Sequence, residues 1–386
     1  MSVVLITIND LSKISGSGIA TREIITQIGA HSAVDVHVIC PEPKYSMPNE
    51  VKKNIDDFYF LPSETAPGNP VWHLKIELVL LVQLLRLIWH HNPHLVVTRL
   101  SQSTLFPAPV CRLFNVHHTL LIRGIINRKD NYSQTKFSRV VEQIVRLNVS
   151  LADDIYVAFE AIRDAVDQYR NPEQSPIEVL PNAVNENQFI PTDLSTARSS
   201  LNMEYDGFVL GFIGSLAPRQ MLSQLLQAVS CVSEVRLLIV GDGEKKLELE
   251  RLAAELGITN RVEFVGQVPY EDVPLYFAAC DVTFGVVNPD RPSNPIKCYE
   301  SLACERPVIT SYAPELEFIN QEGGGIVLND VDIPRITTAI RDLRDTPRSE
   351  LLQMGEQGRQ YVLEHHTWAK IAQEILPKEM TDDNNE

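Results

Sequence analysis

The residues best placed to do chemistry lie in the stretch 289–310, Pro-Asp-Arg-Pro-Ser-Asn-Pro-Ile-Lys-Cys-Tyr-Glu-Ser-Leu-Ala-Cys-Glu-Arg-Pro-Val-Ile-Thr. Lys297 and Glu300 are three positions apart, so on a helix they share one face. A lysine in a first helical turn, beside N–H groups with no carbonyl partner, makes an anion site. A carboxylate one turn on accepts hydrogen bonds from vicinal hydroxyls such as those of a ribose. The plain alternative is an ordinary lysine–glutamate pair on a solvated surface.

The elements around the pair set where it would sit. Pro289, Pro292 and Pro295 hold the preceding segment in a loop. Pro295 suits the first helical turn, where its missing N–H costs nothing. A short helix over 296–304 and a buried strand over 307–310 follow. Near the start, an apolar strand at 3–8 leads to Ser15-Gly16-Ser17-Gly18 and a helix over 19–29. Strand, glycine loop and helix form the geometry of a phosphate cradle. No Gly-Lys-Ser follows, and Thr21 stands where a third glycine would complete Gly-x-Gly-x-x-Gly, so a simple turn fits as well. Further apolar runs at 34–40, 95–98, 120–122, 154–158, 208–214 and 237–240 alternate with helical stretches. That alternation requires an α/β architecture with parallel sheets. The polar stretch 191–202 reads as a linker between two modules.

The motif stretch resembles the donor-binding segment of the family-4 retaining glycosyltransferases. There the pattern is Glu-x7-Glu, then Met-Ala or Leu-Ala, then Gly-x-Pro-Val. Glu300, Leu302-Ala303 and Arg306-Pro307-Val308 match it, and Pro292 stands in place of the first glutamate. A Pro-x-Lys-x-x-Glu-Tyr-Leu-Ala variant of the family is similar to 295–303. Pro181-Asn182-Ala183-Val184-Asn185 resembles the Pro-Asn-Gly-Val-Asp turn that ends the first domain, with Phe189 after it. Leu237-Leu238-Ile239-Val240-Gly241-Asp242-Gly243 and 261–268 resemble the next strands. Ser215 and Gln220 occupy positions where the family has Arg and Lys, and Arg219 is the neighbouring cation. Arg123-Gly124 stands where a His-Gly or His-Asp is usual.

The resemblance implies the GT-B fold: two Rossmann-like parallel-sheet domains facing a central cleft, with a C-terminal helix crossing back to the first domain. It assigns 1–190, completed by about 366–380, to the acceptor side. The nucleotide-sugar domain is 195–365, and 381–386 is a disordered acidic tail. It implies a retaining hexosyltransferase that moves a sugar from a nucleotide diphosphate to a glycan or lipid-linked hydroxyl. Expected donor-binding residues are Gly16, Ser17, Gly18, Ser215, Arg219, Gly241, Val268, Ser293, Asn294, Ile296, Lys297 and Glu300. Arg123, Lys297 and Glu300 are the expected catalytic group. Asp281 and Trp368 are expected to be structural. With no Asp-x-Asp in a suitable place, no metal and no other cofactor is expected. A non-catalytic sugar-nucleotide binder, or a partner subunit of a transferase, is the alternative from another class. Nucleotide-sugar epimerisation lacks the further acidic and histidine groups that it needs.

Composition narrows the partners. The chain has 386 residues, enough for two domains, with 44% hydrophobic and 22% charged residues. A net charge of -16 argues against nucleic acid. The six cysteines are scattered without zinc spacing, which suits a reduced, cytoplasmic protein. No signal peptide is evident. The richest apolar segment, 74–89, is interrupted by Lys75, Glu77 and Arg86 and is too short to span a bilayer. It reads as a mostly buried helix, with a place on a membrane surface as the alternative. The basic segment 123–146 carries Lys136, Arg139 and Arg146 on one helical face. It suits either a solvated face or docking on anionic lipid, at the inner face of the plasma membrane, or on a pyrophosphate-linked acceptor.

Overall fold

A computed structural model describes all residues except 14, 32, 64–69, 102–103, 125–135, 378–379 and 381–386, with only the backbone at 70 and 136–138. The chain divides into two compact units, Met1–Pro181 with Trp368–Glu386, and Asn182–Thr367. The acidic tail and most of the loop after Arg123 lie outside the described residues.

The first unit is built on β1 (Ser2–Ile6), β2 (Asp35–Pro41), β3 (Asp57–Leu61), β4 (Leu95–Arg99), β5 (His117–Ile122), β6 (Asp154–Val157) and β7 (Ile177–Val179). They pair in parallel in the order β3-β2-β1-β4-β5-β6-β7. All five residues of β1 are buried, as an apolar strand covered on both faces must be. On one face the helix Pro70–His91 packs Trp72, Ile76, Leu80, Leu84 and Leu87 against Val4, Ile6 and Val96. This corrects the expectation of a mostly buried helix. Its other side exposes Val71, Leu74, Leu78, Val82, Leu85 and Trp89. The segment is apolar all round, so its sequence carries no contrast that marks an outer face.

The second unit holds β8 (Phe208–Ile213), β9 (Val235–Val240), β10 (Val262–Gly266), β11 (Val282–Phe284), β12 (Val308–Ser311) and β13 (Gly325–Leu328). Their order is β10-β9-β8-β11-β12-β13, again all parallel. The stretch expected as linker instead contains the helix Leu194–Ser200, capped by the Asp193 side chain on the Thr196 N–H. That helix belongs to the second unit, where buried Arg198 pairs with Asp281 at 2.7 Å. Asp281 also accepts from the Val209 N–H, so it fixes the start of β8. The helix Trp368–Ile375 is part of the first unit, with Trp368 buried in it as an anchor.

Candidate nucleotide site of the second unit

The helix Ile296–Ala303 forms because its inner positions are apolar. Cys298, Tyr299, Leu302 and Ala303 pack into the core with Val308 and Ile319. Pro295 stands at the N-cap with an extended backbone, one position before the first turn where it was expected. Its ring still cannot donate, so Ile296 supplies the first N–H of the helix.

Glu300 is buried, 6% exposed, and accepts a hydrogen bond of 2.7 Å from the Tyr270 hydroxyl. The solvated lysine–glutamate pair is therefore not what forms. Lys297 extends to the C-terminal end of β8. Its Nζ lies 4.0 Å from the centre of the Phe212 ring and donates to Gln220 Oε1 at 2.5 Å. A Cβ on Gly214 would stand 3.7 Å from that amine. Burial pushes the Lys297 pKa down to about 7. Cys298 opposes that shift, the Arg219 charge adds to it, and Glu300 opposes it. A cation in this position is poorly solvated and gains from an anionic ligand.

The neighbouring loops are tied to the helix by named bonds. The Arg219 carbonyl accepts from the Asn288 N–H at 2.8 Å, which links the turn after β8 to the loop before the helix. Arg219 itself is exposed, as is Ser215. Asn294 is buried, and its carbonyl accepts from Asn182 Nδ2 at 2.5 Å. Ser293 is half-buried beside it. Val268 and Tyr270 pack onto the core that holds Tyr299. Gly241 has φ of 134°, and a Cβ there would lie 1.9 Å from the Gly214 carbonyl oxygen. Backbone packing at the ends of β8 and β9 thus explains the glycine. Among the described residues no three His, Cys, Asp or Glu side chains converge as a metal site.

The second unit therefore brings Lys297, Glu300, Ile296, Asn294 and Arg219 to one region. Tyr270, Gln220, Phe212 and Asn182 belong to the same region and were not expected. Their signals are weak in sequence: Tyr270 lies 30 positions from Glu300, and Gln220 lies 77 from Lys297.

In the first unit, Gly16, Ser17 and Gly18 do not form a loop. They are the first turn of the helix Gly16–Gly29, with Ser15 as N-cap accepting from the Gly18 N–H. A Cβ on Gly18 would come within 2.8 Å of the Lys13 carbonyl oxygen, which accounts for that glycine by packing. Arg99, not expected, donates to the Ser17 carbonyl at 2.5 Å, and burial lowers its pKa to about 10. Arg123 donates to the Leu180 carbonyl at 2.7 Å and to Pro181 at 3.4 Å, with Trp368 6.0 Å away. It fastens the end of β7 to the last helix of the unit.

Residues 195–361 match the family model described as glycosyl transferases group 1. Within that match lie β8 to β13 and the helix bearing Lys297 and Glu300. The GDP-mannose-dependent alpha-(1-6)-phosphatidylinositol monomannoside mannosyltransferase of Mycolicibacterium smegmatis is 31% identical over 208 residues, 50% of this chain and 53% of that protein. The chain spans about half the length of the curated relatives it matches. Sucrose-phosphate synthase from Thermosynechococcus elongatus superposes with a TM-score of 0.78 at 20% identity, covering 97% of each chain. HepE of Anabaena, solved with UDP and glucose, gives 0.76 at 18% identity over 99% of each chain. At such identities the likeness shows the fold alone: GT-B, two Rossmann-like parallel-sheet domains.

Proposed function

We propose that this protein transfers a hexosyl group from a nucleotide-diphosphate sugar to a hydroxyl of a glycan or lipid-linked acceptor, with retention at the anomeric carbon and without a metal. The observation that carries the reading is Lys297, held at the end of β8 with a weakened proton affinity, one helical turn from buried Glu300. A glycosyl transition state is an oxocarbenium-like centre parting from a diphosphate. Stabilising the departing phosphate is the main task, and fixed donors do it without reorganisation. Lys297, Arg219 and the N–H groups of Ser293, Asn294 and Ile296 would hold the diphosphate. Glu300, oriented by Tyr270, would hold the ribose. The Lys297 ammonium gives one of its three N–H bonds to Gln220 and keeps two for ligand. Arg123 and the first turn at Gly16, Ser17 and Gly18 are proposed to face the donor or acceptor from the first unit.

The proposed place of action is cytoplasmic, at the inner face of the plasma membrane. The basic segment 123–146 would contact the acceptor's anionic group there. Among the described residues no helix is long and apolar enough to cross a membrane.

The relative named for GDP-mannose and the neighbour solved with UDP suggest different nucleotides, so both belong in the test. Calorimetric titration with UDP and GDP, repeated with Glu300→Ala, is expected to show one nucleotide binding. The variant should bind it roughly ten- to a hundredfold more weakly, from the loss of hydrogen bonds to a charged acceptor. Binding of neither nucleotide would refute the reading and leave a non-catalytic partner role. Turnover that depends on magnesium or manganese would refute the metal-free scheme.

A further inference from the structure

We infer that the exposed apolar stripe of the helix Pro70–His91 docks on an anionic lipid surface, lying in the interface without crossing it. Val71, Leu74, Leu78, Val82, Leu85 and Trp89 are 73, 61, 51, 48, 37 and 83% exposed. Their spacing of three and four keeps them on one side of the helix. From Val71 to Trp89 the stripe runs about 27 Å at the α-helical rise. Scattered exposed leucines are ordinary, but a continuous row of this length marks an interaction face.

Charge selects the occupant. The exposed polar residues of this helix are Lys75, Arg86, His90 and His91, and its one acid, Glu77, is buried and accepts from the Leu105 N–H. The exposed charges of this helix are thus Lys75 and Arg86, with His90 and His91 at its C-terminal end, in a chain of net charge -16. A second copy laid on the same stripe would bring like charges together, whereas an anionic bilayer satisfies apolar face and cations at once. The neighbouring helix Pro107–Phe114 extends the pattern. It packs on the same core, and both helices end beside the paired starts of β4 and β5, Leu95 opposite His117. At that end Leu113 is 78% and Phe114 45% exposed, next to exposed Arg112. Carboxylates near this edge, Asp35, Asp56 and Asp57, group about His37 on β2 and β3. The helix Lys136–Leu151 offers a contrast. It exposes Arg139 and Arg146, but with Glu142 between them and Val140 as its one exposed large apolar residue in the described part.

The tryptophans supply a direct reporter. Of the three, Trp72 and Trp368 are buried, so Trp89 is the solvent-exposed one. The full chain is mixed with phosphatidylcholine vesicles, with and without phosphatidylglycerol, and both co-sedimentation and tryptophan emission are read. The expected result is binding to the anionic vesicles with a blue shift that Trp89→Phe abolishes. Leu78→Gln with Leu85→Gln should weaken binding by roughly tenfold per leucine, with an unchanged melting temperature. Lys75→Glu with Arg86→Glu should remove the preference for anionic lipid. Equal binding by the leucine variant, or no emission shift in the wild type, overturns the proposal. So does a wild-type dimer that the leucine variant converts to monomer, which would assign the stripe to a second copy. None of these readouts uses transfer activity, so failure here is separate from failure of the proposed reaction.

Discussion

Lys297→Met tests whether the lysine is held in reserve for a ligand at the expense of stability. In the folded protein its amine titrates at about 7, against 10.5 for an ordinary lysine, chiefly through burial. The unfolded chain therefore binds the proton more tightly. Between pH 7 and 10.5 stability rises with pH, and below pH 7 the full cost of burying the cation is present. At about 1.4 kcal/mol for each tenfold in acidity, the cost is on the order of 5 kcal/mol, and partial exposure reduces it to roughly 2–3. Methionine removes that cost but also strips Gln220 of its donor, a pH-independent loss of about 1–3 kcal/mol. The informative quantity is therefore how the stability gap between variant and wild type changes with pH. From pH 6 to pH 9 the variant should lose about 1–3 kcal/mol of its advantage, because the wild type recovers as its lysine becomes neutral in the fold. In a unit of this size that corresponds to roughly 3–8 °C in melting temperature, measurable by calorimetry across the pH series. A gap that stays flat from pH 6 to pH 9 would refute the reasoning. The same variant should lose nucleotide binding at every pH, which separates stability from function.

Three further outcomes follow from the second unit. Tyr270→Phe takes the hydroxyl from buried Glu300 and should cost about 1–2 kcal/mol of stability, with nucleotide affinity reduced up to roughly tenfold in the same titration. Gly241→Ala drives a Cβ against the Gly214 carbonyl at a left-handed backbone position, and denaturant unfolding should show a loss on the order of 4 kcal/mol. Asp281→Ala leaves Arg198 buried without its carboxylate and removes the acceptor of the Val209 N–H. Chemical denaturation should report a loss of about 3–5 kcal/mol.

What could be read in the sequence was whatever repeats locally. Buried parallel strands are largely apolar, so β1, β8 and β9 announce themselves, and alternation with helices restricts the sheet to parallel pairing. The helix bearing Lys297 and Glu300 was legible for the same reason, since Cys298, Leu302 and Ala303 mark its buried side. Local signals misled where two structures share one composition. Ser15-Gly16-Ser17-Gly18 suits a loop and an N-capped helix start equally, and the cap bond from Gly18 to Ser15 decides it. The run 74–89 has no polar face, so only its neighbours determine which leucines stay exposed.

Gln220 shows the deeper limit. Against the motif that the sequence resembles, a glutamine in the expected lysine position is a lost charge. In the fold, the neutral side chain accepts from Lys297, which arrives from a segment 77 residues away and places its own charge at the end of β8. A second lysine at 220 would meet that ammonium as a like charge in a poorly solvated spot, so glutamine at 220 and lysine at 297 are one arrangement. The unit that carries function here is the contact, and a contact between distant segments becomes visible only when both strands that position it are in place.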